Sequence, residues 1–509
     1  MLFARLGHYA LWDDETMVAL AAQGVLSSGD TTAIHGENIV AYRSGLLLRN
    51  LHDRSTPPLT AYLAAPSIWC LGATSLAARL PCALLGLGLM GLVVVLLRKT
   101  QRTDFEAFIW YVAIGGNVPL FLFLRQSRYY APSILLVTLI AALYLSWHGR
   151  RDHNLIWTIL LFAVLFAANY MACLALFLCL AVDHGIWKRK TTPFPLKSAL
   201  PWILGSLLFC GLIAIQWNPY RTGFGAQSTE NSWAERLILF FWNFRDTADC
   251  QFWIMGLLLV GLVLAFLRKD PWLQRGWVAL VVFIGFITLV SPQLIVGATV
   301  ADVRYLAPAI PLGMALSVRT FLLLFGSRPL WATILSVPIF WTNLGSGAFF
   351  GNRPLSCPPW SYLQELMTPP TEPYSPASQW LSSHVVPGQS VWVLPDFMTY
   401  PLMFHAPQAV YAWQLRPEQK NEEQFKNLPD IHFQGIVPPD YIVAFGPSVV
   451  QIRQLLAQWY IEGVRYQEVN RLMTFWKDLY RPELFWRSFR PIENFDPNTE
   501  AIYIFKRQS

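Results

Sequence analysis

Charge is scarce in this chain. Only 14% of its 509 residues are Asp, Glu, Lys or Arg, where a water-soluble domain carries about 25%, and its mean hydropathy is +0.38. One soluble globule is thereby excluded. Seven cysteines are present and none forms a CxxC pair, which argues against zinc ribbons and thioredoxin-like redox motifs. Cys70, Cys82, Cys173, Cys179 and Cys210 lie in apolar segments and read as small core residues. Cys250 and Cys357 fall outside those segments, and a disulfide between them is left open, because spacing does not give proximity. There is no DxD motif, no His/Cys ligand spacing, no internal repeat and no cleavable signal pattern. No cofactor is expected, and a divalent metal is left open. The net charge of +7 would suit nucleic acid, but the basic residues sit in short clusters between apolar runs, where they orient a membrane protein. Nucleic acid is set aside as a partner.

What the chain has in quantity is long apolar runs. They recur through the first two thirds and stop near residue 350, the pattern of a membrane domain followed by a water-soluble one. We read ten spans, at 77–97, 105–124, 129–147, 155–168, 170–187, 199–217, 252–268, 276–294, 304–325 and 329–348. The fourth is short, and Ala167-Ala168-Asn169-Tyr170 marks a tight turn between it and the fifth. Placing residue 76 outside puts Arg98-Lys99, Arg102, Arg150-Arg151, Lys188-Arg189-Lys190, Lys197, Arg268-Lys269, Arg275 and Arg328 in the cytoplasm, as the positive-inside rule requires. Residues 1–76 then form an external first loop, 77–349 the transmembrane domain, and 350–509 an extracytoplasmic α/β domain. The apolar segment Pro57 to Gly72 would invert every later loop if it crossed, so it is placed as a helix lying at the outer interface. Its Pro57-Pro58 pair suits the first turn of that helix. An acidic motif a dozen residues from Met1, with no span before it, suggests a late start or a lost anchoring helix.

The chemistry-bearing stretch is Leu11-Trp12-Asp13-Asp14-Glu15-Thr16. Asp13 as the N-cap of a helix from Glu15 to Leu26, ending near Gly29, accounts for one acid well and for three poorly. A second cluster is Arg125-Gln126-Ser127-Arg128-Tyr129-Tyr130, and a third is Asp302-Val303-Arg304-Tyr305. Arginines at span ends often only snorkel, and tyrosines there can be ordinary belt residues. These arginines gather on the side opposite the one the charge bias favours, together with the acids. External guanidinium groups at headgroup depth suit a lipid phosphate, which they bind bidentately.

In this order, LWDDE, TPPLTAYLAAPSIWCLG, AARLPCALLGL, RQSRYY and RYLAPAIPL resemble bacterial members of glycosyltransferase family 39. That group includes the protein O-mannosyltransferases and the aminoarabinose transferase of lipid A. The resemblance covers roughly residues 9–348. It implies a mainly α, polytopic C-type glycosyltransferase bundle with external interfacial helices, in the bacterial inner membrane. It also implies a polyprenyl-phosphate-linked sugar donor and an outward-facing site. The family's Asp-Glu pair falls on Asp14 and Glu15, with Asp14 the expected general base, inverting the anomeric carbon. Arg128 and Arg304, then Arg125, are expected on the donor phosphate, and Tyr129 and Tyr305 in the substrate cavity. Two departures stand out. Relatives carry a lysine before the Pro-Pro pair where this chain has Thr56, a loss Arg54 or His52 would offset. RQSRYY also lacks the second acid that relatives carry at that place.

Other features carry less. His35-Gly36-Glu37-Asn38 reads as a solvated polar turn, and residues 218–251, with Tyr220, Arg221, Trp242 and Arg245, as a long external loop suited to a lid or acceptor cleft. In the last region, Ser390 to Pro395, Tyr441 to Phe445 and Ala501 to Phe505 read as strands and Val449 to Tyr460 as a helix. Tyr400, His405 and Trp413 look like candidates for carbohydrate contact, although core or surface aromatics are the preferred reading. A transporter or flippase of lipid-linked sugars, or an inactive binding relative, are the alternatives to a transferase. The acceptor is open between lipid, glycan and protein.

Overall fold

The structure, a computed structural model, describes the chain except residues 55, 101–102, 149–152, 220–230, 292, 294–300, 349–353, 370–371, 447, 462–463, 474–500 and 509. Tyr220 and Arg221 lie outside the described residues. The chain divides into two compact units. One comprises Met1–Leu2 and Cys82–Met367, the other Phe3–Pro81 and Thr368–Ser509. The division falls inside the helix Ser75–Lys99.

Each of the ten apolar segments carries a helix. Among the described residues, five helices are long and apolar enough to cross a membrane: Ser75–Lys99, Tyr170–Lys188, Leu196–Trp217, Pro271–Val290 and Val303–Phe325. The pair Asp104–Gly116 and Val118–Arg125, bent by 63°, makes a sixth if it counts as one. Tyr130–Ser146, His153–Ala168, Met255–Leu267 and Pro329–Trp341 are shorter apolar helices in the remaining segments. Only 11% of the most apolar stretch of Leu196–Trp217 is buried. Leu204, Leu207, Leu208 and Ile215 all point outward, an arrangement that suits lipid and not water.

Local chemistry explains the breaks. Asn117 sits at the 63° bend, where its side chain accepts the Leu120 N–H at 2.9 Å and donates to the Phe252 carbonyl at 3.0 Å. Pro119 follows and has no N–H to place. The predicted turn falls at Asn169, whose side chain caps the next helix by accepting the Ala172 N–H at 3.0 Å. In the long loop, Trp233–Asp249 is a helix opened by a Ser232–Glu235 capping box. Helices approach closely at small residues: a Cβ on Gly313 would lie 2.3 Å from the Trp253 ring. Asp183 clamps Arg275 through bonds of 2.7 and 2.8 Å and accepts the Tyr144 hydroxyl at 2.8 Å. All seven cysteines are free, Cys250 and Cys357 included.

The second unit joins both ends of the sequence. Its helices Asp13–Ser28 and Pro58–Leu71 pack on each other, and two short hairpins lie between them, Ile34–His35 with Asn38–Ile39 and Leu48–Arg49 with His52–Asp53. A five-stranded sheet follows in the order Val410–Tyr411, Ser390–Leu394, Tyr441–Phe445, Ile502–Arg507, Tyr466–Leu472. The first three strands are parallel, and the last two pair antiparallel. One apolar core unites these parts: Leu11, Trp12, Leu20, Ala64 and Ile68 belong to the same cluster as Leu381, Val391, Leu402, Val443 and Ile504. Polar ties reinforce it. The Leu11 N–H donates to His405 Nε2 at 3.1 Å. Asn38 donates to the Ala409 carbonyl at 2.9 Å and accepts the Tyr411 N–H at 2.7 Å. The stretch from His35 to Asn38 is therefore not a wholly solvated turn, since Asn38 is buried. Tyr400 and Trp413, which looked exposed in sequence, are buried at 2% and 5% exposure.

The helix Pro58–Leu71 starts, as predicted, with proline in its first turn, and it leaves Trp69 77% exposed with Tyr62 and Leu71 beside it in exposure class. That face suits a membrane interface.

Candidate active site

The acidic motif opens the helix Asp13–Ser28. Trp12 is its N-cap and contributes no side-chain bond, so Asp13, Asp14 and Glu15 all lie in the first turn. The capping role considered for Asp13 is thus not observed. Three carboxylates at the positive end of a helix are favoured by its dipole, but successive residues point about 100° apart, and their fates differ. Asp13 and Asp14 are half-buried. Glu15 is fully buried, and Arg79 takes both its oxygens, Nε at 2.9 Å and Nη2 at 2.6 Å. The remaining guanidinium donors meet the carbonyls of Leu6 at 3.2 Å, Tyr9 at 3.0 Å and Ala10 at 3.1 Å. Every N–H of this buried cation has an acceptor, which a buried charge requires. The consequence is positional: the strand of chain leading into the acidic helix is pinned to Arg79.

Arg79 was not singled out in the sequence, although it stands in the AARLP motif. An ionisable residue inside an apolar helical run was the available signal.

Arg54 and His52 meet at Asp30, just past the other end of the acidic helix. Arg54, buried, donates to both Asp30 oxygens at 2.7 Å and to Thr31 Oγ1 at 2.7 Å. His52 Nε2 lies 3.7 Å from Asp30, and its Nδ1 lies 2.9 Å from the Asn50 carbonyl. The hydrogen bonds from Arg54 hold the Asp30 carboxyl down at about 2. The near side of the Arg54 guanidinium is therefore already matched to a carboxylate. His405, which receives the Leu11 N–H, is kept neutral by burial, its pKa lowered to about 4.

In the membrane unit, Arg125 to Tyr130 bridge the helices Val118–Arg125 and Tyr130–Ser146. A snorkelling arginine would be exposed. Arg125 and Arg128 are instead 2% and 7% exposed. Arg125 bonds the Tyr362 hydroxyl and, at 3.2 Å, the Met1 carbonyl. The Arg128 guanidinium stacks over Tyr129, 4.9 Å from the ring centroid. Arg304, at the start of the 3-10 turn Val303–Ala309, pairs with Asp302 at 2.9 Å and lies 5.6 Å from the Tyr305 ring. Both partners are about one third exposed, at 28% and 31%. Among the described residues, no three His, Cys, Asp or Glu side chains are grouped to hold a metal ion.

No family model matches the sequence. No curated protein matches it either. The overall fold is shared with solved structures. Two solved structures are similar over 99% of this chain and 95% of theirs: ArnT from Cupriavidus metallidurans bound to undecaprenyl phosphate, at TM-score 0.55 and 11% identity, and ArnT from the same organism in the apo state, at 0.53 and 12%. At that identity the likeness shows the fold alone.

Proposed function

We propose that this protein is a glycosyltransferase of the bacterial inner membrane that moves a sugar from a polyprenyl-phosphate carrier to an acceptor at the outer face. The observation that carries this reading is a chain-long likeness to ArnT, one of whose structures is bound to undecaprenyl phosphate. All ten apolar helices cross in this proposal, with residues 1–76 and 350–509 on the outer side. Asp14 is the general base. It takes the proton of the acceptor hydroxyl as that oxygen attacks the anomeric carbon, the bond from that carbon to the phosphate oxygen breaks, and the configuration inverts. The departing carrier phosphate keeps the bonding electrons and needs charge stabilisation more than protonation. Arg128, with Arg304 and then Arg125, supplies it. Glu15 is assigned a positioning role because its carboxylate is held by Arg79. Arg54 and His52 are placed at the donor's entry, and Tyr129 and Tyr305 against the substrate.

The test is transfer by the purified protein from a panel of polyprenyl-phosphate sugars, with Asp14→Asn beside wild type. Turnover by wild type and its loss in the variant are expected. Equal turnover by both would remove Asp14 as the base, and movement of the lipid-linked sugar across a vesicle without transfer would favour a flippase.

A further inference from the structure

The second unit holds a cavity of about 550 Å³ that the proposed transfer does not use. Its walls are mainly apolar, with Ile34, Ile39, Val410, Leu428, Ile431 and Val437 among them. Small-molecule sites measure about 300–1,000 Å³ and combine such walls with a few polar groups. The frame is held by hydrogen bonds. Asn38 ties the first hairpin to the sheet through the Ala409 carbonyl and the Tyr411 N–H. Trp413 donates its ring N–H to the Val437 carbonyl at 2.9 Å and its backbone N–H to the Ile431 carbonyl at 3.0 Å. Gly36 and Gly388 also line the cavity, with φ of +62° and +88°, and a Cβ on either would meet nothing within 4 Å. Neither carries a side chain that could occupy the space.

Most polar side chains of the lining are already engaged. Asn38 is spent on the sheet. Ser390 Oγ donates to Asp440 at 2.9 Å, and Asp440 pairs in turn with Arg507 at 2.7 Å. Asp430, beside the lining residue Pro429, pairs with Lys420 at 2.5 Å. His432 is 1% exposed, with Nδ1 3.3 Å from the Tyr411 carbonyl. Burial lowers its pKa, so it is neutral at pH 7. Of the lining residues, only Glu37 then carries a charge. It is exposed and makes no ion pair among the described residues.

An apolar hollow with a single carboxylate in its lining is complementary to an apolar body bearing one positive charge. An anion would meet like charge, and a strongly polar molecule would leave its groups unpaired against these walls. We propose that this cavity binds an organic amine, with its apolar body against Ile34, Leu428 and Val437 and its ammonium group at the Glu37 carboxylate. The site lies wholly within the second unit. It stands whether or not the protein transfers sugar.

The test uses full-length protein in detergent and three probes of one shape: cyclohexylmethylamine, cyclohexylmethanol and cyclohexanecarboxylate. Binding is read by ligand-detected NMR, and Val437→Trp, which fills the cavity, serves as the reference that removes uptake by the micelle. Wild type should bind the amine best and the carboxylate least. Glu37→Gln should weaken the amine by about three- to five-fold, the scale of a solvent-exposed ion pair, and leave the alcohol unchanged. Glu37→Lys should reverse the order of amine and carboxylate. Val437→Trp should abolish binding of all three. Equal binding of the three probes by wild type, an unchanged order in Glu37→Lys, or amine binding that survives Val437→Trp would each overturn the proposal. So would the absence of binding by wild type at millimolar probe, with the transferase reading left untouched.

Discussion

Two arginine–carboxylate pairs of nearly the same length differ in everything else. Arg79 and Glu15 meet at 2.6 Å with neither side chain exposed, while Arg304 and Asp302 meet at 2.9 Å with each about a third exposed. The first pair has given up its water and makes three further bonds to backbone carbonyls. Removing one partner would strand a charge in the interior, at about 3–5 kcal/mol. The second pair keeps its water, and such pairs contribute about 0–1 kcal/mol. In the proposed function the difference separates scaffold from chemistry. A buried, saturated pair fixes where the acidic helix begins. In that proposal, the weak, half-exposed pair exchanges its carboxylate for an incoming phosphate at little cost.

The comparison can be sharpened or broken by substitution. The largest effect is expected beside the scaffold pair: Asp14→Asn should lower kcat by about 10²- to 10⁴-fold with the melting temperature unchanged. A variant that loses activity only by unfolding would place Asp14 with Glu15 in the scaffold. Next, Arg79→Met or Glu15→Gln should cost about 3–5 kcal/mol of stability, read as a lower melting temperature in detergent. A double-mutant cycle on each pair should return a large coupling for Arg79–Glu15 and under about 1 kcal/mol for Arg304–Asp302. Equal couplings would end the distinction.

The third effect is acid sensitivity. The folded pKa of His405 is lowered to about 4, so the unfolded chain binds the extra proton first. Stability from this group is complete above about pH 6.5, falls as the pH drops toward 4, and is level below that. Up to about 3 kcal/mol is at stake. His405→Gln, which still presents an acceptor to the Leu11 N–H, should flatten that segment of the stability–pH curve. Fourth, Arg128→Lys should raise KM for the donor by about ten-fold, since lysine keeps the charge and loses the fork. The smallest expected change is Asp302→Asn, within about two-fold in donor KM. A larger loss would mean that the pair is structural after all.

Much of the architecture was legible because it depends on local signals. Apolar runs located the helices, Asn169 marked the break between two of them, and Pro58 marked the first turn of Pro58–Leu71. The strands Ser390–Leu394 and Tyr441–Phe445 were legible as continuous apolar runs because they are central and buried. Tyr466–Leu472 was not, because as an exposed edge strand it carries mostly polar residues. The helix Trp233–Asp249 had its Ser232–Glu235 signature in plain view but sat in a stretch taken for loop. Arg79, which escaped notice, depends on partners far away in sequence. No periodicity announces that Leu6, Tyr9, Ala10 and Glu15 will gather on one guanidinium.

The bond from Leu11 to His405 spans 394 residues. A ribosome adding about 5–20 residues per second needs on the order of 20–80 s to cover that distance. During that interval the helix Asp13–Ser28 has none of the later strands that complete its core. It must stay unaggregated while the helices between Leu11 and His405 are made. Chaperone dependence and sensitivity to premature termination should therefore be greatest for the helix Asp13–Ser28.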